Sequence, residues 1–339
     1  MSRYYEIAIT APGATSPLRI WTSQPNGVYD PGAWDVEFDV LAYDFAHPMG
    51  LSTLTIQGPS IQDLNQQISY AGKIYKTFSG MTITLKGGMQ KGLPLANPKQ
   101  AGILTSGTIY QSFGNWEGTE QTLDFVIAPS PATFQQPANF VFQWTAGTPI
   151  AYALKNLLGT VYPGYALNIN VNPNLVLNHS EVHYCGTLQQ FAQYVQAFTK
   201  ARGQTMFGPT YPGVFIAITG GNTISCFDNT PPAALPVPIS FNDLIGQPTW
   251  IAVDVMQMKL VMRADLSVGT YVTMPPKLIP GAGTIISQAA SLPSYNKNNA
   301  TFQGLFKVIA QRHIGHFRGN DASNWATVVN CQFIPAGLS

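Results

Sequence analysis

The clearest pattern in the chain is a strict alternation of apolar and acidic side chains near its start. The apolar positions are Val36, Phe38 and Val40, and the acidic positions between them are Asp35, Glu37 and Asp39. Because successive side chains of a β-strand point to opposite faces, this segment is predicted to be a strand with one apolar and one acidic face. Similar runs bounded by turn residues predict further strands at Ser52 to Gln57, Lys73 to Phe78, Met81 to Lys86, Gly107 to Ser112 and Leu123 to Ala128. Their number and spacing suit a barrel-like or sandwich domain.

The apolar period changes to that of a helix after the proline-rich stretch Ala128 to Pro137. Thr148 as N-cap and Pro149 as the first helical residue predict a helix start, and Gly159 predicts its end. The stripe that this helix would bury consists of Ile150, Leu154, Leu157 and Leu158.

A second helix is predicted from a capping box of Thr187 and Gln190, with Gly203 in the left-handed position after its end. Its apolar stripe is Leu188, Phe191, Ala192, Val195 and Phe198. Strands are predicted around these helices at Tyr165 to Val171, Val214 to Ile218 and Thr223 to Phe227, the last two forming a hairpin. This part of the chain is therefore predicted to be a small α+β unit.

Strand patterns resume beyond Asn229 to Pro238, a segment with four prolines that is typical of a linker. The predicted strands are Trp250 to Val255, Lys259 to Ala264, Thr270 to Met274, Phe306 to Ala310 and Trp325 to Phe333, and Lys277 to Asn299 is predicted to be a long loop. The fold is therefore expected to be mainly β with a smaller α+β insert. The expected domains are residues 1–130, 131–230 and 231–339.

Charged residues are unusually scarce in this chain. Only 10% of the residues are charged, against about 25% in an ordinary globular protein, although 45% are apolar. No apolar run approaches the roughly 20 residues that a bilayer-spanning helix needs, and the first residues do not resemble a signal peptide. We therefore expect contact with other protein subunits, rather than with a membrane, to cover much of the surface.

The balance and distribution of charge exclude several partners. The formal net charge is +1, and Lys and Arg form no run that would grip nucleic acid or acidic lipid. The three cysteines, Cys185, Cys226 and Cys331, have no CxxC spacing and predict reduced thiols made in a cytoplasm.

The acid row Asp35, Glu37 and Asp39, with the nearby Asp44, is the densest acidic cluster in the sequence. Paired carboxylates carry out glycoside hydrolysis, but such pairs normally come from different elements and need unequal environments. Two other interpretations are a solvated strand face and the acidic lining of a channel through which a polyanion passes.

Two groups of histidines are candidates for chemistry. His179, His183 and Cys185 have a spacing that metal ligands sometimes use, but the segment is predicted to be a loop without a second ligand cluster. His313 and His316 lie in a short basic stretch with Arg312 and Arg318, which we interpret as a strand end or docking face.

The sequence contains no GxSxG, HExxH or P-loop motif, and the glycine-rich run Gly87 to Gly92 lacks a phosphate-binding lysine followed by Ser or Thr. Six tryptophans could form sugar-stacking platforms, but core and interface packing is the commoner use of aromatic residues in a low-charge β protein. Catalysis is therefore not expected, and neither is a cofactor or metal.

Several stretches resemble the baseplate central hub proteins of contractile-tailed bacteriophages, which are related to late control proteins and to the hub part of type VI secretion spikes. In the last third these are Ile245 to Ile251, Leu260 to Leu266, Val268 to Pro275, Gly304 to Val308, His313 to Gly315 and Trp325 to Thr327. In the middle, Tyr162 to Tyr165 and Tyr184 to Leu188 are similar to the helical insert of these hubs. The first 130 residues match in general character only.

This resemblance implies two tube-like antiparallel β-barrel domains and a two-helix insert in each subunit of a homotrimer. The trimer would form a pseudo-sixfold ring that joins the tail tube to the central spike and surrounds the DNA channel. The implied partners are a spike protein, a tail tube protein and possible baseplate wedge and tape measure proteins, with DNA passing without specific binding. Because the chain stops soon after Cys331, spike and hydrolase would be separate chains.

The sequence thus predicts a structural virion protein of the tail baseplate, made in the host cytoplasm, with Asp35, Glu37 and Asp39 as part of the channel wall. Two alternatives stay open. One is a tail-associated glycan-binding or glycan-cleaving protein, and the other is a hexameric tail tube or distal tail protein.

Overall fold

A computed structural model describes residues 3–45, 51–66, 68–70, 73–89, 100–128, 139–219, 222–231, 235–252, 254–275, 302 and 304–334. Across these ranges the chain is mainly antiparallel β, as predicted, and it has three α-helices, of which the first was not predicted. The helices are α1 (Ile61–Leu64), α2 (Ile150–Val161) and α3 (Leu188–Phe207). The strands are β1 (Arg3–Thr10), β2 (Arg19–Thr22), β3 (Asp35–Tyr43), β4 (Ser52–Gln57), β5 (Ile68–Tyr70), β6 (Lys73–Tyr75), β7 (Thr82–Met89), β8 (Gly102–Glu117), β9 (Glu120–Ala128), β10 (Phe140–Trp144), β11 (Ala166–Asn170), β12 (Glu181–Cys185), β13 (Phe215–Thr219), β14 (Thr223–Phe227), β15 (Val237–Pro238), β16 (Thr249–Trp250), β17 (Val255–Val261), β18 (Tyr271–Thr273), β19 (Leu305–His316) and β20 (Trp325–Ile334).

The described residues divide into two compact units. The first contains 3–42, 51–128 and 237–334, and the second contains 43–45 and 139–236. The first unit contains described residues of both predicted β domains, and the second contains most of the predicted α+β insert. The division into three domains stays a prediction.

One thirteen-stranded sheet forms the framework of the first unit, with the order β16-β17-β20-β19-β3-β4-β9-β8-β7-β1-β2 and with β15 and β18 attached beside β19. The N-terminal and C-terminal strands meet where β19 lies beside β3. There the backbone N–H of Phe317 donates to the carbonyl oxygen of Val36 (2.9 Å). The pairing of these strands therefore connects segments that are far apart in the sequence. The strand order among the described residues is that of an extended sheet, and the division into two tube-like barrels stays a prediction.

Alternation along each strand builds two apolar clusters in the first unit. The N-terminal cluster includes Val36, Phe38 and Val40 of β3, which confirms the apolar face predicted from the sequence. The C-terminal cluster contains Trp250 and Phe306 among others. Trp325 of β20 and Phe317 pack in the N-terminal cluster, so the C-terminal strands also contribute to the first core.

The second unit packs α2 and α3 over two small sheets, β10-β12 and β11-β14-β13. The predicted hairpin is present, since β13 and β14 pair antiparallel. The predicted stripes face inward: Ile150, Leu154 and Leu158 of α2 are buried, as are Leu188, Phe191, Ala192 and Val195 of α3.

The ends of both helices differ from the prediction. Pro149 is the N-cap rather than the first helical residue of α2, the Thr148 hydroxyl donates to Thr145 O (2.7 Å), and the helix continues through Gly159 to Val161. The nearest atom to a Cβ built at Gly159 is Leu167 Cδ1, at 3.7 Å, so a side chain would fit at this position. Gly159 is therefore an ordinary residue inside α2 and does not end the helix.

For α3, Thr187 Oγ1 accepts from the N–H of Gln190 (3.2 Å), as expected of a capping box. The Gln190 side chain reaches the N–H of Gly186 (3.0 Å) instead of that of Thr187. Gly203 is a buried helical residue pressed against the ring of Tyr211, and the helix ends at Gly208, which has a φ of 102°. The prediction of a left-handed cap at Gly203 is therefore wrong, because close packing explains that glycine.

Two local predictions in the other regions are also wrong. The predicted strand Trp250 to Val255 is not one strand: β16 ends at Trp250, β17 begins at Val255, and Ile251 N–H donates to Val255 O (2.9 Å). The segment with His183 and Cys185 is strand β12, not a loop, because β10 supplies its hydrogen-bonding partner. The predicted loop Lys277 to Asn299 and the proline-rich residues 129–138 lie outside the described residues.

Candidate functional site on the open face of the large sheet

The side of the thirteen-stranded sheet that points away from the apolar core carries the acid row predicted from the sequence. We define the open face by the residues of β3, β4, β9 and β19 on this side: Asp35, Glu37, Asp39, Thr53, Thr55, Gln57, Thr122, Asp124, Arg312 and His316. Strand alternation places them together because residues directly opposite in an antiparallel pair share a face. The structure thus brings Asp35, Glu37 and Asp39 onto one surface.

Each member of the acid row faces a basic group of β19 or the turn that follows it. Arg312 forms a two-pronged pair with Asp39, with Nε–Oδ1 at 2.8 Å and Nη2–Oδ2 at 2.6 Å. His316 Nε2 lies 3.4 Å from Asp35 Oδ2 and 3.5 Å from Glu37 Oε1. The row is therefore not an uncompensated strip of negative charge.

Backbone and amide groups hold the carboxylates in place. The N–H of Arg318 donates to Asp35 Oδ1 (3.1 Å), and Gln57 Nε2 donates to Glu37 Oε1 (2.9 Å). The guanidinium of Arg318 is turned toward the carbonyl oxygens of Pro31 and Ala33.

Uncharged polar side chains continue the open face across β4, β9 and β8. Thr55 Oγ1 donates to Asp124 Oδ1 (2.6 Å), while Asn115 Nδ2 and Thr122 Oγ1 donate to Asp124 Oδ2 (2.8 and 3.2 Å). Asp124 is thus bound by three neutral donors. The result is a polar surface whose charges are paired or hydrogen-bonded.

Asp44 does not belong to the acid row, contrary to the sequence interpretation. It is buried and lies in the second compact unit, beyond the end of β3. Asp35 and Glu37 come from one strand and contact the same imidazole, whereas the paired carboxylates of a glycosidase flank the scissile bond. The geometry therefore does not favour the glycan-cleaving interpretation at this position.

The histidine–cysteine group of the second unit is divided among different contacts. The ring of His183 stacks on Tyr194, with centroids 3.6 Å apart, and His179 Nδ1 contacts Asn178 Oδ1 (2.8 Å). Burial raises the pKa of the Cys185 thiol to about 11, which disfavours the thiolate that would bind a metal. Among the described residues, one group of three potential ligands lies close enough together to hold a metal ion. It consists of Asp35, Glu37 and His316.

The basic stretch of β19 has two differently placed histidines. His316 is partly exposed on the open face, whereas His313 is buried on the opposite side, with Nδ1 3.0 Å from Thr327 Oγ1. Burial lowers the pKa of His313 to about 3. The interpretation of this stretch as a strand end is confirmed. The sequence did not show that it faces the acid row, because most of the chain lies between β3 and β19.

Four of the six tryptophans are buried in apolar clusters, namely Trp21, Trp144, Trp250 and Trp325. Trp34 and Trp116 are exposed. Packing is therefore the main use of tryptophan here, as the composition suggested.

Sequence reasoning missed a buried ionic network in the C-terminal part of the first unit. The Arg263 guanidinium, 3% exposed, pairs with Asp265 through two bonds of 2.7 Å and with Asp243 at 3.2 Å. Gln100 Nε2 also donates to Asp243 (3.0 Å). The only sign of this network in the sequence was that Arg263 and Asp265 are two residues apart.

Comparison with known proteins supports the fold but does not identify a specific function. No protein-family model matches the chain, and no curated protein matches it either. A solved Escherichia coli structure is similar at a TM-score of 0.52 and 8% identity, covering 97% of this chain and 77% of that one. It is described as the c3393 protein, a component of the type VI secretion system with structural similarity to the T4 bacteriophage tail proteins gp27 and gp5.

Two further solved structures match with lower scores. One is a tail protein from Neisseria meningitidis MC58, with a TM-score of 0.47, 10% identity and coverage of 98% and 97%. The other is the 43 kDa tail protein of prophage MuSo2 from Shewanella oneidensis, with a TM-score of 0.49, 8% identity and coverage of 96% and 97%. We draw nothing from these two because both scores are under 0.5. At the level of fold, the resemblance predicted from the sequence is confirmed by the first match. Among the described residues, no helix has the length and apolar character to cross a membrane.

Proposed function

We propose that this chain is a structural hub of a contractile tail baseplate and that it has no catalytic activity. Three copies would form a pseudo-sixfold ring that joins a tail tube to a central spike. The observation that carries the proposal is the likeness in fold, over 97% of the chain, to a secretion-system component that itself resembles phage tail proteins. The proposed place of action is the virion tail, after synthesis in the host cytoplasm.

The surface composition supports burial in such an assembly. Only 10% of the residues are charged, and large apolar side chains such as Val28, Trp116 and Tyr152 are more than 60% exposed in the single chain. A closed ring covers several faces of each subunit and so requires fewer solubilising charges. Spike, tube, wedge and tape measure proteins are the proposed partners.

The open face supports the proposed channel wall. Asp35, Glu37 and Asp39 share this face with paired cations and with Thr, Gln and Asn side chains. A wall of hydrogen-bonded acids and uncharged polar groups offers a passing polyanion no basic stripe to hold it, because nucleic acid is bound chiefly through Lys and Arg contacts to phosphate. DNA would pass along this face without specific binding.

The first experiment is native mass measurement and electron microscopy of the purified full chain, alone and with its candidate spike. Three chains of 36.7 kDa give a ring of about 110 kDa with a central channel. A sixfold ring would assign the chain to the tube instead. A monomer that stays monomeric with its partners would overturn the hub proposal and favour the glycan-binding alternative.

A second experiment tests the orientation of the open face. Thr53, next to Asp39 on β4, is exposed, so Thr53→Cys accepts a maleimide-linked gold cluster. The expected gold position is inside the ring. Thr160→Cys on α2 is the matched labelling control, and gold from Thr53→Cys on the outer rim would contradict the proposed channel wall.

The function of the wall is tested in the tail itself. Replacing Asp35, Glu37 and Asp39 together with lysine is expected to leave assembled tails intact but to impair DNA ejection, because the wall becomes a basic surface. The control is the charge swap Asp39→Arg with Arg312→Asp, which keeps the net charge and the pair. Normal ejection by the triple variant would contradict the channel assignment.

A further inference from the structure

Asp35, Glu37 and His316 form a three-ligand constellation where the N-terminal and C-terminal strands of the large sheet meet. The two carboxylates are two residues apart on β3, so strand alternation places them on the same side. His316 ends β19 and points its Nε2 between them. One potential donor atom from each of the three residues lies within 4.8 Å of the others.

The distances from His316 to the two carboxylates are longer than a direct charge-assisted hydrogen bond and match the spacing of ligands around one cation. His316 Nε2 lies 3.4 Å from Asp35 Oδ2 and 3.5 Å from Glu37 Oε1. A charge-assisted N–H···O bond is normally about 2.7 to 2.9 Å long. Zn²⁺ binds His nitrogen and carboxylate oxygen at about 2.0 to 2.2 Å, so a tetrahedral arrangement separates its ligand atoms by roughly 3.4 Å.

Groups around the three residues hold them in this orientation. The Arg318 N–H binds Asp35 Oδ1, which leaves Oδ2 turned toward His316. Gln57 Nε2 binds Glu37 Oε1 and thereby fixes the glutamate side chain. Such outer partners usually orient metal ligands and tune affinity.

The charge and exposure of the constellation also suit a divalent cation. Two carboxylates and one imidazole ligand balance a 2+ ion. The basic side chains around them also have other partners: Arg312 binds Asp39, and Arg318 binds the carbonyl oxygens of Pro31 and Ala33. Arg3, which interacts electrostatically with Asp35, donates to the carbonyl oxygens of His316, Phe317 and Asp321. Glu37 and His316 are about two-fifths exposed, which leaves a side open to water as a fourth ligand.

We propose that Asp35, Glu37 and His316 bind a first-row divalent transition-metal ion, with Zn²⁺ as the best fit. A mixed set of imidazole and carboxylate ligands suits Zn²⁺, whereas Mg²⁺ requires oxygen ligands in an octahedron. The ion joins β3 to β19 across segments that are about 280 residues apart in the chain. The site shares Asp35 and Glu37 with the proposed channel wall, but Zn²⁺ binding is measured on the purified chain and does not depend on the hub proposal.

For the test, metals are first removed from the full chain with a chelator. The chain is then titrated with ZnCl₂, and calorimetry measures binding and the unfolding temperature. The expected result is one Zn²⁺ per chain and a higher unfolding temperature with Zn²⁺ than with Mg²⁺. His316→Gln and Glu37→Gln, tested separately, are each expected to weaken binding by roughly 100-fold or more. Gln57→Ala, which removes an outer partner, should weaken it by roughly 10-fold to 100-fold.

His179→Gln is the matched control, because His179 also lies near a carboxylate, with Nε2 3.8 Å from Glu181 Oε2, but has no third ligand. It should bind Zn²⁺ like the original chain. Co²⁺ gives a second readout, since its visible absorption in a tetrahedral site should vanish in His316→Gln and persist in His179→Gln. Absence of Zn²⁺ binding by the original chain, or binding by His316→Gln and Glu37→Gln as tight as that of the original chain, would overturn the site.

Discussion

Asp39 and Arg312 are 273 positions apart in the sequence and form a two-pronged ion pair on the open face. Their strands, β3 and β19, join the N-terminal and C-terminal parts of the thirteen-stranded sheet. The acid row that dominates the N-terminal sequence pattern is thus matched by a basic row from the far end of the chain. The surface that results is polar, and its four carboxylates outnumber the two basic side chains, Arg312 and His316.

The Asp39–Arg312 pair should contribute only modestly to stability, because both side chains are substantially exposed. A double-mutant cycle of Asp39→Asn and Arg312→Gln in urea is expected to give a coupling free energy of about 0.5 to 1 kcal/mol. Asp124→Asn combined with Arg312→Gln is the control and should be additive, since Asp124 binds Thr55 and Asn115 instead. A coupling free energy well above about 1 kcal/mol for the first pair would contradict its assignment as an exposed ion pair.

Arg263 should matter far more than Arg312. Its buried guanidinium compensates Asp265 and Asp243, so Arg263→Ala leaves two carboxylates without their cation. The expected loss in free energy of unfolding is about 3 to 5 kcal/mol, measured by chemical denaturation. Arg312→Ala, which truncates an exposed arginine, is the matched comparison and should cost less than about 1 kcal/mol. Similar losses for both variants would refute the buried network.

His313 predicts a pH dependence of stability. Burial lowers the pKa of this imidazole to about 3, while that of an unfolded chain is about 6.5. Between these values the unfolded chain takes up a proton that the folded chain does not. The free energy of unfolding contributed by His313 is therefore complete above about pH 6.5 and decreases as the pH falls toward 3.

The measurement is urea unfolding between pH 7 and pH 5, a range above most carboxylate titration. His313→Gln should flatten the dependence, by up to about 1.4 kcal/mol per pH unit. His179→Gln alters an exposed histidine and should retain the slope of the original chain. An unchanged slope in His313→Gln would show that this histidine is not buried in its neutral form.

Two helical glycines should respond in opposite directions to alanine. Gly203 of α3 lies against the ring of Tyr211, so Gly203→Ala overpacks the second unit and should lower the free energy of unfolding by about 1 to 3 kcal/mol. Gly159 of α2 has its nearest neighbouring atom, Leu167 Cδ1, 3.7 Å from a built Cβ. Gly159→Ala should therefore stabilise the protein by up to about 1 kcal/mol, because alanine favours a helix over glycine. Thermal unfolding of both variants measures the contrast, and equal effects would contradict it.

The three cysteines should be inert in the folded chain. All are buried, and burial raises the pKa of Cys185 to about 11 and that of Cys226 to about 12, and also raises the pKa of Cys331. Since the thiolate is the reactive form, a maleimide at neutral pH should label none of them before unfolding and all three in urea. Rapid labelling of the native chain would show that a thiol is accessible.

Local patterns in the sequence were sufficient for most individual elements. The alternation around Val36 predicted β3 and its two faces, and the stripes at Ile150 and Leu188 predicted the buried sides of α2 and α3. Such predictions succeed because the periods of strands and helices are properties of neighbouring residues. Helix ends were less predictable, since the glycine expected to end α3 is instead a point of contact with a ring eight residues later.

The sequence by itself determined the class of fold, the scarcity of charge and the acid row of β3. Only the tertiary structure decided what faces that row, because the order of strands in a sheet is not encoded in the period of any one strand. It placed Arg312 and His316 beside carboxylates near the other end of the chain, and it buried Arg263 between two acids. The contacts of Arg312 and His316 depend on a strand pairing across more than 270 residues, which forms only when the whole sheet is assembled.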